Sequence, residues 1–382
     1  MVHQTRLLDA FLSLARIDGV SGRERAVAAH IQARLESIGL TCSLDRAGET
    51  FGGNCGNLVG RLPGRVDLPT ILLCAHMDTV LPTQGLNVVL DAERVSSDGT
   101  TILGADDRAG AAIILEILQV LVDERLDHGP IEVLFTVAEE CGMHGAKTVD
   151  SGAFEASMGF VFDSSAACGR FVVGAPSAMA FRILVRGRAA HAAVSPEKGI
   201  HAIQIASRAI ARLPLGRHGE TGMLNVGTIR GGTAINVVPD EVEILGETRS
   251  ADPAALDAQM ALVREAFEQA ALEGGGQVEI AWTCKYGEFE LKPTEPVVLA
   301  AVRGIRAAGC EPEPIRYPGG SDANVLNVRG IPTVNLGIGT HNAHSMQESM
   351  PIRCLVQGAE IGLGIVRELV RGDRTRAVSL AR

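Results

Sequence analysis

Short apolar runs followed by polar residues that can bind metal are the feature that most restricts how this 382-residue chain can fold. The runs are brief and bounded by turns, which is typical of buried parallel strands. They span 71–75, 131–137, 159–162 and 333–336. The polar segments that follow these and neighbouring elements are His76-Met-Asp78, Gly104-Ala-Asp106-Asp107, Glu139-Glu140, Asp163-Ser164 and, further on, His344. Because ligands gather beyond the carboxyl ends of strands in an open α/β sheet, we expect these side chains to converge.

Composition excludes several classes of protein. A net charge of -10 argues against a nucleic-acid partner. The first turns contain Asp9 and Arg16 among leucines, which predicts an amphipathic helix instead of a secretory signal, and no apolar run reaches membrane-spanning length. The eight cysteines form no CxxC pair. We therefore expect a cytoplasmic protein with reduced thiols and with no membrane partner.

The order of predicted elements indicates an α/β domain interrupted by a smaller one. Strand and helix signals alternate through 1–176 and resume over 291–382, whereas 177–290 shows the order β-α-β-β-α-β of a ferredoxin-like α+β domain. Near the amino terminus, Ser21-Gly-Arg-Glu24 predicts a capping box that opens a helix ending at Gly39.

The polar segments have the chemistry of a two-metal site. We expect His76 to bind a metal while Asp78 accepts a hydrogen bond from its second ring nitrogen. A carboxylate in the glycine-bearing loop at 104–107 can bridge two cations. The further candidate ligands are Asp106, Glu140, Asp163 and His344. Nitrogen and oxygen ligands without thiolate favour zinc, cobalt or manganese.

Glu139 is the candidate general base. Adjacent carboxylates at a strand end point in different directions, so Glu140 can bind metal while Glu139 stays free. In a two-metal hydrolase such a base takes a proton from the attacking water. This pair therefore predicts hydrolysis, whereas a purely structural metal site would need no spare carboxylate.

Each residue taken alone has a commoner structural explanation. Strand-end histidines and aspartates usually cap or hydrogen-bond loops, and Glu139-Glu140 alone would usually be a solvated pair. Asp107 is interpreted as a supporting carboxylate, and His144 and His341 as loop histidines, although His341 lies close enough in sequence to replace His344. The joint occurrence of these residues, in order, favours the metal site.

Combined, these segments resemble the co-catalytic metallopeptidase family of aminoacylases, carboxypeptidases and tripeptidases. The motifs are His76-Met-Asp78-Thr79, Asp98-Gly-Thr-Thr-Ile-Leu-Gly-Ala-Asp106-Asp107-Arg-Ala-Gly110, Glu139-Glu140-Cys-Gly142, Asp163 and His344-Ser-Met-Gln-Glu348. The second resembles the peptidase T branch, the tripeptide aminopeptidases, except that Arg108 stands where lysine is usual. The resemblance implies a zinc-peptidase-like mixed-sheet catalytic domain with an inserted lid or dimerisation domain, and two divalent metal ions, zinc before cobalt or manganese.

The resemblance also implies roles for individual residues. His76 and Asp163 would hold one metal, Glu140 and His344 the other, with Asp106 bridging, Glu139 as general acid/base and Asp78 supporting His76. In the lid, His191 would polarise the scissile carbonyl, often across a dimer, and Asn236 and Arg249 would hold the substrate. Gly319-Gly-Ser-Asp322 resembles the glycine-rich substrate loop of the family, with a plain turn as the alternative.

The expected function is removal of the amino-terminal residue from short peptides, above all tripeptides. A homodimer through the lid is the expected assembly, with a monomer as the alternative. A carboxypeptidase or an N-acyl amino acid amidohydrolase of the same family stays open as an alternative, since both share the metal ligands. A non-catalytic metal-binding protein on this fold is the alternative from a different class.

Overall fold

The computed structural model describes residues 1–150, 152, 154–218 and 222–380, with side chains described through 372. The chain divides into two compact units. The first comprises Met1–Gly174, Glu290–Tyr317 and Ser321–Arg382, and the second comprises Ala175–Phe289 and Pro318–Gly320. The catalytic and lid roles expected for 1–176 with 291–382 and for 177–290 stay predictions. Among the described residues, every helix is too short or too polar to span a lipid bilayer.

The secondary structure alternates as the sequence patterns indicate. The strands are β1 (Thr41–Leu44), β2 (Leu58–Leu62), β3 (Ile71–His76), β4 (Val88–Leu90), β5 (Arg94–Ser97), β6 (Ile131–Thr136), β7 (Met158–Ser164), β8 (Arg170–Ala175), β9 (Ser177–Arg186), β10 (Gly216–His218), β11 (Gly222–Gly231), β12 (Glu241–Ser250), β13 (Gln277–Tyr286), β14 (Phe289–Glu290), β15 (Glu313–Arg316), β16 (Thr333–Gly337) and β17 (Ser349–Pro351). The helices are α1 (Gln4–Ala15), α2 (Arg25–Ile38), α3 (Ala105–Asp123), α4 (His144–Thr148), α5 (Ala202–Arg212), α6 (Pro253–Gly274), α7 (Pro296–Ala307), α8 (Asp322–Val328) and α9 (Ile352–Leu380).

The main sheet of the first unit is mixed, and its centre is parallel. Its strand order runs β1-β2-β6-β3-β7-β16-β8, with β15 beside β8. The pairs β3–β6, β3–β7 and β7–β16 are parallel, whereas β1–β2, β2–β6 and β16–β8 are antiparallel. Every residue of β3 and β6 is buried, so both faces of the sheet are covered there. The four predicted apolar runs form β3, β6, β7 and β16, and the parallel strands end at one edge.

The predicted capping box at the start of α2 is wrong. Glu24 is the N-cap residue of that helix and makes no side-chain cap bond. Instead, the Ser21 hydroxyl donates to the Asp78 carboxylate at 2.6 Å, and the Glu24 carboxylate accepts the backbone N–H of Ala138 at 2.9 Å. Both side chains therefore stabilise distant loops at the strand ends. The helix ends as predicted, with Gly39 in a left-handed conformation at a φ of 101°.

The second unit is an antiparallel sheet packed against two helices. Its strand order is β10-β11-β12-β9-β13, and α5 and α6 pack against the sheet and against each other. The chain order is the predicted β-α-β-β-α-β with the short β10 added. Asp252 caps α6 by accepting the Ala254 N–H at 3.0 Å, and Pro253 is the first helical residue. The predicted strand at 237–246 begins later, at Glu241.

Candidate metal centre

Three of the predicted ligands meet at the carboxyl end of β3. His76 is the last residue of that strand, and its Nε2 lies 3.0 Å from Asp106 Oδ1 and 3.7 Å from Asp163 Oδ1. Asp163 lies in the neighbouring strand β7, where Asn335 Oδ1 accepts its backbone N–H at 3.2 Å. The adjacent strands thus bring together residues that are distant in sequence.

His344 and Glu140 lie on the other side of Asp106. His344 Nε2 is 3.1 Å from Asp106 Oδ2 and 3.0 Å from Glu140 Oε1. The two oxygens of Asp106 therefore face two different histidines, as a bridging carboxylate would. His341, the alternative to His344, instead exchanges backbone hydrogen bonds with Ser349. The other loop histidine, His144, lies against the Phe51 ring with a centroid separation of 5.1 Å.

The arrangement fits divalent cations. Glu140 Oε1 is buried and receives no hydrogen bond from the described residues, although His344 Nε2 is only 3.0 Å away. Two atoms that both bind the same cation are expected to lie this close together without the geometry of a hydrogen bond. Potential ligand atoms of His76, Asp106 and Glu140 all lie within 4.8 Å of one another. The donors are nitrogen and oxygen only, which suits zinc, cobalt or manganese.

Asp107 also lies close to His76 and Asp163, within the same 4.8 Å limit. Its carboxylate is fully buried and accepts two backbone N–H groups, from His76 at 3.2 Å and from Gly110 at 3.0 Å. Both of its oxygens are thus engaged by the backbone, in keeping with a supporting position. Gly110 is required here, since a Cβ at that position would lie 2.0 Å from the Phe162 carbonyl oxygen.

Glu348, for which the sequence predicted no role, fixes the loop that carries Asp106. Its buried carboxylate accepts the backbone N–H of Gly104 at 2.6 Å and of Asp106 at 3.0 Å. Burial raises the pKa of Glu348 to about 7. The only sequence signal for this residue is its place in the segment that begins at His344.

Asp78 connects His76 to the Glu139-Glu140 loop. His76 Nδ1 hydrogen-bonds the Asp78 backbone carbonyl oxygen at 3.1 Å, whereas the Asp78 carboxylate predicted to accept this bond lies further away, at 3.4 Å. The fully buried carboxylate accepts the backbone N–H groups of Glu139 at 3.0 Å and Glu140 at 3.1 Å. Burial alone would raise the pKa of Asp78, but hydrogen bonds from His76, Ser21 and the loop outweigh it and hold the pKa below its usual value. The residue is therefore built to stay ionised and to orient both segments.

We predict that Asp78→Asn lowers kcat/KM and metal affinity by about 10–100-fold while the fold is kept. An amide nitrogen cannot accept the loop N–H groups and weakens orientation of the imidazole. Peptidase assays and metal-competition titration would check this, with exposed Asp257→Asn as the control. Unchanged metal affinity and activity in Asp78→Asn would contradict the orienting role.

Glu139 is almost entirely buried, at 9% exposure, just beyond the end of β6. Its carboxylate makes no hydrogen bond or ion pair with the residues described. Burial raises the pKa of Glu139 well above its usual value; the Asp163, Asp322 and Glu140 carboxylates add to the rise and His76 opposes it. The loop is held in shape by Ala138 and Met143, both at positive φ, of 52° and 56°. A desolvated carboxylate without a protein partner is suited to proton transfer.

The predicted substrate-contacting residues lie in the second unit. His191 is exposed, and its Nδ1 accepts the N–H groups of Ala193 at 3.2 Å and Val194 at 3.3 Å, which leaves Nε2 to donate. Asn236 lies in the neighbouring segment, and its backbone carbonyl accepts the Ala192 N–H at 3.0 Å. The contacts that these residues make with substrate stay predictions.

Arg249 and the glycine-rich loop have partners of their own. The Arg249 guanidinium binds the Glu247 carboxylate at 3.0 and 3.2 Å and donates to the Pro318 carbonyl at 3.2 Å. Gly320 packs so tightly that a Cβ there would lie 2.4 Å from the Tyr286 ring. Asp322, the first residue of α8, is buried and accepts a hydrogen bond from Thr136.

Comparison with known proteins identifies the family. The model of the peptidase family M20/M25/M40 matches residues 72–368. An uncharacterised protein of Bacillus subtilis (strain 168), YqjE, is 41% identical over 97% of this chain and all of its own length. The aminopeptidase PepT from Bacillus cereus ATCC 10987 superposes with a TM-score of 0.89 at 38% identity, covering 97% of this chain and 99% of its own. A tripeptidase from Staphylococcus aureus subsp. aureus mu50 superposes with a TM-score of 0.93 at 37% identity, covering 97% and 100%. With this match over most of its length, the chain belongs to peptidase family M20/M25/M40 and is a metallopeptidase.

Proposed function

We propose that the protein is a two-metal aminopeptidase that removes the amino-terminal residue from short peptides, above all tripeptides. The observation that carries this proposal is the buried Glu139 carboxylate, which has no hydrogen-bond or ion-pair partner in the described part of the chain and lies beside the nitrogen and oxygen ligand atoms centred on Asp106. Similarity to an aminopeptidase and a tripeptidase, each over nearly the whole chain, supports the direction of cleavage and the short substrate. The free cysteines fit a cytoplasmic location.

The donor set divides between two cations, with zinc proposed before cobalt or manganese. His76 and Asp163 would hold one, and Glu140 and His344 the other, with one Asp106 oxygen for each. When bound, the two ions supply Lewis acidity that polarises the scissile carbonyl and lowers the pKa of water. Asp78 and Glu348 keep the ligand-bearing loops in place.

Glu139 carries the proton through the reaction. Its carboxylate accepts a proton from the attacking water and donates that proton to the nitrogen of the leaving amine as the peptide C–N bond breaks. The carboxylate thus ends each turnover in the ionisation state in which it began. Burial favours the protonated form that is needed for the second step.

The residues of the second unit would recognise the substrate. His191 has Nε2 available to donate to the oxyanion that develops from the scissile carbonyl. Asn236 and Arg249 would bind substrate carbonyl and carboxylate oxygens, with Arg249 moving from Glu247 to a substrate carboxylate in a forked pair. A homodimer through this unit is part of the proposal.

A peptide panel tests direction, length and class together. We predict that the zinc-, cobalt- or manganese-reconstituted protein hydrolyses Ala-Ala-Ala to Ala and Ala-Ala, acts less on Ala-Ala and on the tetrapeptide, and leaves N-acetyl-Ala-Ala-Ala intact. A blocked amino terminus removes the group that defines an aminopeptidase substrate. Product identity by mass spectrometry is the measurement, with chelated protein as the control.

The same panel separates the alternatives. Release of the carboxyl-terminal alanine from the acetylated tripeptide would establish a carboxypeptidase. Preference for N-acetyl-alanine would establish an amidohydrolase. Metal binding without turnover of any substrate would support a non-catalytic metal-binding protein and would exclude an aminopeptidase.

A further inference from the structure

Two thiols from distant parts of the first unit meet beside Gly339. Cys168 lies in the turn between β7 and β8, and Cys354 lies in the first turn of α9. The Cys168 thiol donates to the Cys354 carbonyl oxygen at 3.6 Å. A Cβ placed on Gly339 would lie 2.8 Å from Cys354 Sγ and 3.7 Å from Cys168 Sγ. Both sulfurs therefore lie within 3.7 Å of the place that a Cβ would take at residue 339.

The surroundings shift the pKa values of the two thiols in opposite directions. When the Cys168 thiol turns its proton from the Cys354 carbonyl oxygen to the Cys354 sulfur, this hydrogen bond lowers the pKa of Cys354 against the effect of burial, and Arg353 lowers it further. The amino-terminal turn of a helix also favours a thiolate. The same hydrogen bond, and then burial, raises the pKa of Cys168. By contrast, burial raises the pKa of Cys74. These shifts favour ionisation of Cys354 over Cys168, and a thiolate beside a thiol is the arrangement that oxidation to a disulfide requires.

We propose that Cys168 and Cys354 form an oxidation site that closes to a disulfide on reaction with hydroperoxides. The Cys354 thiolate attacks the terminal oxygen of the hydroperoxide and the O–O bond breaks, which gives a sulfenic acid. Hydroxide leaves from hydrogen peroxide, and an alkoxide leaves from an organic hydroperoxide. The Cys168 sulfur then attacks the Cys354 sulfur and the S–O bond breaks. The departing hydroxide takes the Cys168 proton and leaves as water. Two thiols lose two electrons, and these reduce the peroxide.

The position of the pair gives the bond a structural consequence. Cys168 follows the strand that carries Asp163, and Cys354 follows the segment that carries His344 and β17. A disulfide would tie these two segments together and close a loop of 186 residues. Such a long closed loop constrains the unfolded chain strongly. We expect oxidation to raise the midpoint of thermal unfolding by roughly 5 °C or more.

Cys310 is the competing thiol. It lies on the same side of the first unit, since a Cβ on Gly169 would be 3.4 Å from Cys310 Cβ. Burial, Glu360 and Cys354 all raise the pKa of Cys310, so it is expected to react more slowly than Cys354. A variant at this position therefore serves as the matched control.

The test is peptide mapping of the metal-loaded protein after hydrogen peroxide treatment and alkylation under denaturing conditions. We expect the peptides of Cys168 and Cys354 to be joined, with the mass of two hydrogens lost, in the native protein and equally in Cys310→Ser. Dithiothreitol should release them. In Cys168→Ser, Cys354 should accumulate as a sulfenic acid that dimedone traps, without a cross-link.

Three outcomes would overturn the proposal. They are a Cys354 that stays reduced while other cysteines oxidise, a Cys354 that passes to sulfinic acid in the native protein without a cross-link, and a cross-link that is lost in Cys310→Ser. Mapping of the native protein decides each of the first two without depending on the folding of any variant.

Discussion

Replacing Glu139 by glutamine is expected to lower kcat by about 10²–10⁴-fold while both metal ions stay bound. Glutamine keeps the size of the side chain but cannot accept a proton from water. The proposed ligands are other residues, and among the described residues none of their hydrogen bonds or ion pairs involves the Glu139 carboxylate. Steady-state kinetics and elemental analysis of the same preparation are the two measurements.

The controls for this variant isolate its carboxylate. Glu265→Gln makes the same change at an exposed position on α6 and should leave kcat unchanged. A thermal midpoint close to that of the native protein would show that the loss of Glu139→Gln is not a loss of fold. Full metal content together with surviving peptide hydrolysis would refute the proton-transfer role.

Replacing Asp106 by alanine is expected to empty both metal positions and to abolish measurable hydrolysis. Each oxygen of this carboxylate faces a different histidine, at 3.0 Å from His76 and 3.1 Å from His344. Its removal therefore weakens both sites at once, and the remaining carboxylates repel each other without the second cation. Elemental analysis after dialysis and the peptide assay are the measurements.

Two further variants serve as a control and a comparison for Asp106→Ala. Asp257→Ala, at an exposed position, should keep both metals. Asp163→Asn should weaken metal binding less than Asp106→Ala. Asp163 lies near one of the two histidines, His76, whereas Asp106 lies near both. Two tightly bound ions in Asp106→Ala would mean that Asp106 does not bridge them.

Local sequence was informative wherever a buried strand ends in a polar residue. The run before His76 is wholly apolar because β3 is covered on both faces, and the same holds for β6 before Glu139. Since β6 and β7 flank β3 in parallel, their ends lie side by side, and a convergence of polar residues followed from this pairing alone. Asp106 departs from the pattern, because it lies at the start of α3 and not at a strand end.

Contacts between distant residues could not be predicted in this way. Ser21 and Glu24 have the spacing of a capping box, but hydrogen bonds to Asp78 and Ala138 take the place of the local cap. Glu348 supports Asp106 across most of the chain. The Cys168–Cys354 pair likewise depends on packing, and no local pattern marks it. Each of these positions is set by tertiary structure and not by the pattern of its neighbours.

The place of β16 in the sheet determines how early the main sheet can be completed during synthesis. β16 lies between β7 and β8, which are consecutive in the chain and leave the ribosome long before it. Until β16 enters, the sheet stays open at that point, and such pairing between distant segments forms late. His344 and Glu348 follow β16. A nascent chain therefore lacks the proposed ligand His344 and its neighbour Glu348 until β16 has been synthesised.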